Sequence, residues 1–351
     1  MQRMIWIACL TVVLLAAPAG MGQASESRPL DIYFLDMMGG ASTLIVTPLG
    51  ESVLIDTGSM GPADRDPKRI LAAARDAGLK QIDYLVTTHF HSDHFGGILE
   101  VSKRIPIRKF LDKGHLPQAE EQKRDHFKML YARYCEATKG KLAVLKAGDD
   151  IPLENDPEGR LPRLRLHCVA AERQIEGFQG EIDAATPGQE IRKPDLSENA
   201  RSIALVLHYG KFDLFAGGDI TWNVECRLAC PRNLVGEVDL YQVTHHGLDQ
   251  SNHPALLKAL NPTVCIAMNG PNKGIDPNAF RAMQQLPGVK AIYAIHYNTR
   301  YGDRGNPPLE FLANGKDSTP GKYIKVSVGP KADGFAVSVG KDGPKRTYPV
   351  K

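Results

Sequence analysis

The densest chemistry in this 351-residue chain lies at Thr88-His89-Phe90-His91-Ser92-Asp93-His94, where three imidazoles and one carboxylate fall within six residues. Neutral imidazole nitrogens and carboxylate oxygens are the donors that zinc and similar ions prefer, so the stretch reads as a metal-ligating cluster. His89 and His91 are two apart and can point the same way off an extended end. Asp93 and His94 are adjacent and must diverge, so the pattern suits two neighbouring ions better than one. Two later strand ends carry similar donors, Gly217-Gly218-Asp219 and Thr244-His245-His246-Gly247. Adjacent residues of a strand point apart, so one of His245 and His246 is expected to ligate, with His246 preferred. The other is then free to touch substrate, donate a proton or pack. Asp56, in Asp56-Thr57-Gly58 at the end of an earlier apolar run, is expected to orient a ligand histidine or the loop around it.

These groups need a scaffold of strand ends, and the hydropathy pattern provides one. Tyr84-Leu85-Val86 reads as a buried strand leading into the cluster, and Gly96-Gly97 as the entry to a helix over 95–103. Strands are expected at 31–35 and 43–47, paired as a hairpin, and at 52–55, 81–87 and 105–111, with a helix at 66–78. Further strands read at 142–153, 164–169, 202–208, 212–215, 238–243, 263–268 and 291–296, interleaved with helices at 222–229, 256–260 and 280–286. A last hairpin spans 323–328 and 335–339. This alternation argues for an α/β architecture in which sheets are covered by helices. A helical insertion around 117–140 carries Phe127, Leu130, Tyr131 and Tyr134 at helical spacing, either as packing or as a lid. The polar stretch 170–198 is a candidate substrate-facing wall. His115 and His296 also lie at strand ends, where spacing alone leaves open whether they reach the site.

Composition narrows the partners. The formal charge is only +3 with signs interspersed, so no basic stripe advertises long nucleic acid as a substrate. Residues 1–24 have the basic start, short apolar core and small-residue end of a signal peptide, which makes 25–351 an exported, periplasmic or secreted domain without stable membrane insertion. Beyond that segment stand Cys135, Cys168, Cys226, Cys230 and Cys265, an odd count with no CxxC pair, and a Cys226–Cys230 bridge four residues apart would be strained. No P-loop, GxGxxG or GxSxG suggests a nucleotide or a serine nucleophile.

The ordered set HxHxDH at 89–94, Asp219 after glycine and a late histidine pair resembles the metallo-β-lactamase superfamily. That resemblance implies a four-layer αββα sandwich and two divalent metal ions, zinc first, with manganese or iron as alternatives. It places His89 and His91 on one ion, Asp93 and His94 on the second, Asp219 between both, and His246 completing the second. Asp93, Asp219 and His245 are then the groups that act on water and substrate, with Asp56 and Asn199 behind the ligands or against substrate. Many members carry a further histidine shortly before the bridging aspartate. Here that neighbourhood reads Ser197-Glu198-Asn199-Ala200-Arg201-Ser202, so Asn199 or Glu198 fills the role or the first ion is held more weakly.

A closer likeness, through Phe34-Leu35-Asp36, Leu54-Ile55-Asp56-Thr57-Gly58, Glu198-Asn199-Ala200-Arg201-Ser202 and His245-His246-Gly247 with Ser251, resembles the hydrolase domain of ComEC-type competence proteins. It implies a stand-alone hydrolase of a phosphodiester or related small-molecule ester. A lactone or β-lactam hydrolase and a non-catalytic metal-binding protein are the alternatives.

Overall fold

A strand that is apolar on both faces must be buried on both, and β1 (Leu30–Phe34) shows how this chain does it. Leu30, Ile32 and Phe34 enter one core, while Tyr33 enters another on the opposite face. The computed structural model describes residues 28–124, 126–182, 185–186, 188–316 and 321–351, and the signal-peptide segment expected at 1–24 lies outside the described residues.

After β1 the chain forms β2 (Thr43–Val46), β3 (Ser52–Ile55), β4 (Ile82–Val86), β5 (Ile107–Asp112) and β6 (Leu142–Val144). It then builds a second sheet from β7 (Asp150–Ile151), β8 (Leu164–Ala171), β9 (Gln174–Ile175), β10 (Ala204–Tyr209), β11 (Phe212–Ala216), β12 (Leu240–Gln242), β13 (Val264–Ala267), β14 (Ala291–His296) and β15 (Leu312–Asn314). The last strands, β16 (Ile324–Val328), β17 (Gly334–Val339) and β18 (Arg346–Pro349), return to the first sheet. The two nine-stranded sheets run β18-β17-β16-β1-β2-β3-β4-β5-β6 and β15-β14-β13-β12-β11-β10-β8-β7, with β9 on β8.

Between the sheets lies a core that includes Ile32, Val53, Val86, Leu205, Leu207, Val264 and Ile266. On the outer face of the first sheet pack α1 (Arg65–Asp76), α2 (Ser92–Phe95), α3 (Ile98–Ser102) and α4 (Phe127–Thr138), through Ile70, Phe95, Val101 and Tyr134. The second sheet is covered by α5 (Trp222–Ala229), α6 (Pro254–Leu260) and α7 (Pro277–Gln284), through Val224, Leu257 and Phe280. The result is the four-layer αββα sandwich. Within each of the runs β3 to β6 and β11 to β15 the strands are parallel to one another, and the C-terminal ends of parallel strands are where α/β proteins gather functional groups.

Several features depart from the sequence pattern, among them 142–153, which forms β6 and β7 in different sheets, and β9 within the polar stretch 170–198. Strands β15 and β18 occupy stretches without a strand signature, because each is completed by edge pairing to β14 or β17. The helix expected over 95–103 is split at Gly96-Gly97; a Cβ on Gly97 would stand 2.4 Å from the Thr57 carbonyl, so the chain passes where no side chain fits. The helix expected across the insertion begins only at Phe127, after a single 3-10 turn at Glu121–Lys123. Thr244–Gly247, expected as a strand mouth, is a tight turn in which His245 (φ 52) and His246 (φ 57) are both left-handed. The described cysteines are all free. Among the described residues no helix is long and apolar enough to cross a membrane.

Candidate metal centre

The loop after β4 and the turn after β12 meet across the gap between the sheets, with Asp219 of the β11–α5 loop between them. Asp219 Oδ2 lies 3.3 Å from His94 Nε2, 3.5 Å from His246 Nε2, 3.5 Å from His245 Nε2 and 3.8 Å from His89 Nε2. Asp93 Oδ2 lies 3.8 Å from His94 Nε2 and 3.5 Å from His246 Nε2, and those two nitrogens are 3.3 Å apart. On the other side, His89 Nε2 and His91 Nδ1 are 3.1 Å apart. The donors therefore sort into His89, His94 and Asp219, and Asp93, His94 and His246, each close enough to hold one ion. His91 joins the first group only through His89.

Hydrogen bonds behind the rings decide which nitrogen faces inward. Asp56 Oδ2 lies 2.7 Å from His94 Nδ1 and Met268 O lies 2.8 Å from His246 Nδ1; each oxygen is an acceptor, so each ring points an Nδ1 proton outward and turns Nε2 toward the centre, where a cation would displace any proton on it. Thr88 donates its hydroxyl to Asp56 at 2.7 Å, so its oxygen accepts from His89 Nδ1 at 3.0 Å, with the same outcome. Ser251 donates to Ile220 O at 2.7 Å and accepts from His245 Nδ1 at 3.1 Å. The bare Nε2 of His245 in turn accepts from the Asn199 amide at 3.1 Å. Asn199 Oδ1 is buried without a partner. In the left-handed turn both histidines reach Asp219, so their side chains do not diverge as those of a strand would.

The electrostatics match a cation site. Burial disfavours the charged form of Asp219, yet His94, His245 and His246 outweigh it and hold the carboxyl well below its ordinary value. Asp93 is likewise held well below, by His94 and Lys273 against burial. Burial also opposes a charge on His94, and the carboxylates of Asp219, Asp56 and Asp93 overcome it, so this imidazole is pushed well above its usual range. Burial pulls His89 well below its usual range and His245 to about 4. A pocket of inward-facing imidazole nitrogens and ionised carboxylates is a donor set that fits divalent cations.

A buried charge network carries the ligand loop from beneath. Glu198 accepts the Phe90 N–H at 2.9 Å and pairs with Lys113 at 3.0 Å, and Lys113 also pairs with Glu172 at 2.8 Å. Lys113, not its neighbour His115, is the residue of that strand end that turns inward; the His115 side chain is 73% exposed. The insertion packs on the same loop: Phe90 meets Tyr134 and Tyr131 with ring centroids 5.1 and 5.8 Å apart, and Glu121 Oε1 lies 3.9 Å from His91 Nε2. His296 is engaged elsewhere, with Nε2 2.6 Å from Asp36 Oδ1, a contact that ties the end of β14 to the end of β1. Lys273, which no spacing in the sequence singles out, places Nζ 2.5 Å from Asp93 Oδ2. A separate cavity of about 500 Å³, lined by none of these ligand residues, is walled by Phe178, Leu196, Val224 and Arg227 and reaches Ala200 and Thr221.

Residues 35–169 match the family model described as the metallo-beta-lactamase superfamily. A UPF0173 metal-dependent hydrolase from Thermodesulfovibrio yellowstonii is 37% identical over 65 residues, which is 18% of this chain and 22% of that protein, so the match spans about a fifth of the relative's length. Among solved structures, the chain is similar to CmlA, a diiron β-hydroxylase from Streptomyces venezuelae (14% identity, 77% of this chain and 53% of that one, TM-score 0.43). It is also similar to a mutant metallo-β-lactamase from Cronobacter sakazakii (15% identity, 60% and 75%, TM-score 0.36).

Proposed function

We propose that this chain is a metal-dependent hydrolase of the metallo-β-lactamase superfamily, an exported two-metal enzyme acting on a phosphodiester or related ester. The observation that carries this reading is the convergence of His94 Nε2 and His246 Nε2 on Asp93 Oδ2 and Asp219 Oδ2, with His89 and His91 paired on the other side of Asp219. His89 and His91 would hold one ion, Asp93, His94 and His246 the other, and Asp219 would stand between them. Zinc suits the imidazole-rich set, with manganese or iron as alternatives. Bound ions would supply Lewis acidity, which lowers the pKa of water toward neutrality and offsets the negative charge that develops on the attacked group.

The protein's own groups do the rest. Asp56, Thr88 and Met268 hold three imidazoles with Nε2 inward. Asp93 and Asp219 remain ionised and orient the attacking water through its protons. His245, held neutral near pH 7 by burial, engages its Nε2 lone pair with the Asn199 amide beside Asp219, and would take or return a substrate proton by exchanging that amide for the substrate. Likeness to ComEC-type hydrolase domains supports a phosphodiester, and the modest net charge supports a small ester over long nucleic acid. The signal-peptide pattern supports export.

Metal analysis together with a substrate panel tests the reading. About two equivalents of metal are expected, as in two-ion hydrolytic sites, with turnover of bis-p-nitrophenyl phosphate ahead of nitrocefin, an acyl lactone and single-stranded DNA. Preference for nitrocefin over every phosphoester would replace the phosphodiester assignment with a β-lactam one. Failure to bind metal would remove the hydrolytic mechanism altogether.

A further inference from the structure

Lys273 sits in a segment whose backbone is fixed from several sides. Gly270 and Lys273 form an antiparallel bridge, with Gly270 N donating to Lys273 O at 2.8 Å. Thr299 N donates to Pro271 O at 2.8 Å, and Ile275 N donates to His246 O at 2.9 Å. Gly274 (φ +85) passes so close to the ligand turn that a Cβ there would stand 2.1 Å from His246 O. The same segment touches the loop after β1, where a Cβ on Gly39 would lie 3.3 Å from Gly270 Cα. The Cα of Lys273 is therefore anchored to both sides of the centre, while its side chain is 38% exposed at the mouth.

Its ammonium occupies a telling position. Asp93 Oδ2, 2.5 Å from Lys273 Nζ, is the same oxygen that His94 Nε2 and His246 Nε2 approach. Through that shared oxygen the ammonium stands on the Asp93 side of the centre. Lysine here neutralises the oxygen a metal cation would take. Once a divalent cation engages that oxygen, an ammonium cannot remain against it without strong like-charge repulsion. The four-carbon stem lets Nζ move while the backbone stays fixed. Two divalent ions would outweigh the carboxylates of Asp56, Asp93 and Asp219, and Lys273 adds to the excess, so the loaded mouth calls for an anion.

We propose that Lys273 is the oxyanion-binding residue of the substrate site, a mobile point charge that releases Asp93 on metal loading and pairs with a phosphoryl oxygen of the substrate. The inference rests on the hydrolase reading and narrows it to esters that carry a negative charge at the reacting group. Lysine binds phosphate as a point charge through rotatable donors, which suits a side chain arriving from the rim.

The test uses the metal-loaded full-length protein, with Lys273→Met and Lys273→Arg variants, and titrates inorganic phosphate and acetate by calorimetry alongside metal content and kinetics. The expected result is a phosphate Kd raised about tenfold in Lys273→Met and largely restored in Lys273→Arg, with acetate binding weaker throughout. The kcat/KM ratio for bis-p-nitrophenyl phosphate over the neutral p-nitrophenyl acetate should fall by a similar factor, carried by KM. Equal phosphate Kd in wild type and Lys273→Met, with metal content reduced in the variant, would make Lys273 a prop for Asp93 and overturn the proposal while leaving the hydrolase reading intact. Acetate bound as tightly as phosphate and equally dependent on Lys273 would overturn the phosphoryl assignment in favour of a carboxylate. A wild type that binds no metal and turns over neither ester would overturn the hydrolase reading and this proposal with it.

Discussion

After β4 the ligand loop leans on carboxylates, whereas after β12 the histidine pair leans on neutral groups and an unusual backbone. Asp56 receives the Nδ1 proton of His94 together with the N–H and hydroxyl of Thr88, and Glu198 receives the N–H of Phe90. His245 and His246 are instead oriented by the Ser251 hydroxyl and the Met268 carbonyl, and both adopt left-handed φ, which is uncommon outside glycine. A carboxylate brace orients a ring and also raises its basicity. A neutral brace orients it alone, and the tight turn supplies the aim that a strand end would not. The two sides are therefore expected to respond differently to the loss of their supports.

The largest effect belongs to the group shared by both sides. Asp219→Ala should lose bound metal and lower turnover by roughly 10³-fold or more, since residues acting as one unit fail together; elemental analysis and phosphodiester kinetics read this directly. Retention of both ions would break the picture of a shared centre.

Next comes the clasp that holds the two strand ends in register, Asp36 with His296 at 2.6 Å and with Arg69 at 3.0 Å. Asp36→Asn should cost about 3 kcal/mol at neutral pH, because it strands a buried partner. Burial raises the Asp36 carboxyl, but His296 and Arg69 outweigh it and hold it below 3.8. Its contribution is whole above the unfolded value and is lost as pH falls through the folded one. Urea denaturation at pH 7 should therefore separate wild type from variant, and the gap should narrow as pH falls below the ordinary carboxylate range and close once the folded carboxyl is protonated.

The two braces then give the direct contrast. Asp56→Asn should weaken metal binding by roughly 10- to 100-fold, the usual cost of losing a carboxylate behind a ligand histidine, as measured by competition with a chelator. Ser251→Ala leaves the His245 Nδ1 proton without its acceptor and should lower kcat/KM by about fivefold, near 1 kcal/mol, with little change in metal content. Equal losses from the two substitutions would show that charge in the brace does not matter.

The loop from His89 to His94 was legible because its donors are consecutive and their spacing is a local property. Asp219 and the late histidines were legible as strand ends, since apolar runs followed by glycine or histidine mark where β11 and β12 stop. The geometry of His245 and His246 was not, because the bonds from Met268, Ser251 and Ile275 that shape the turn come from residues that do not adjoin it. Lys113 and His115 make the same point at one strand end. The imidazole is the better candidate by type, yet Glu172 and Glu198, far along the chain, draw the lysine inward. Strands β15 and β18 lack a pattern of their own and exist through pairing to a neighbour.

By itself the sequence determined the class of chemistry and the layered α/β architecture, because donor type, local spacing and hydropathy period are properties of short segments. Only the tertiary structure decided which nitrogen of each histidine faces the centre, that both late histidines reach Asp219, and that Lys273 stands over Asp93. Each of those depends on hydrogen bonds and charges between residues far apart in the chain, which exist only once the two sheets have closed on one another.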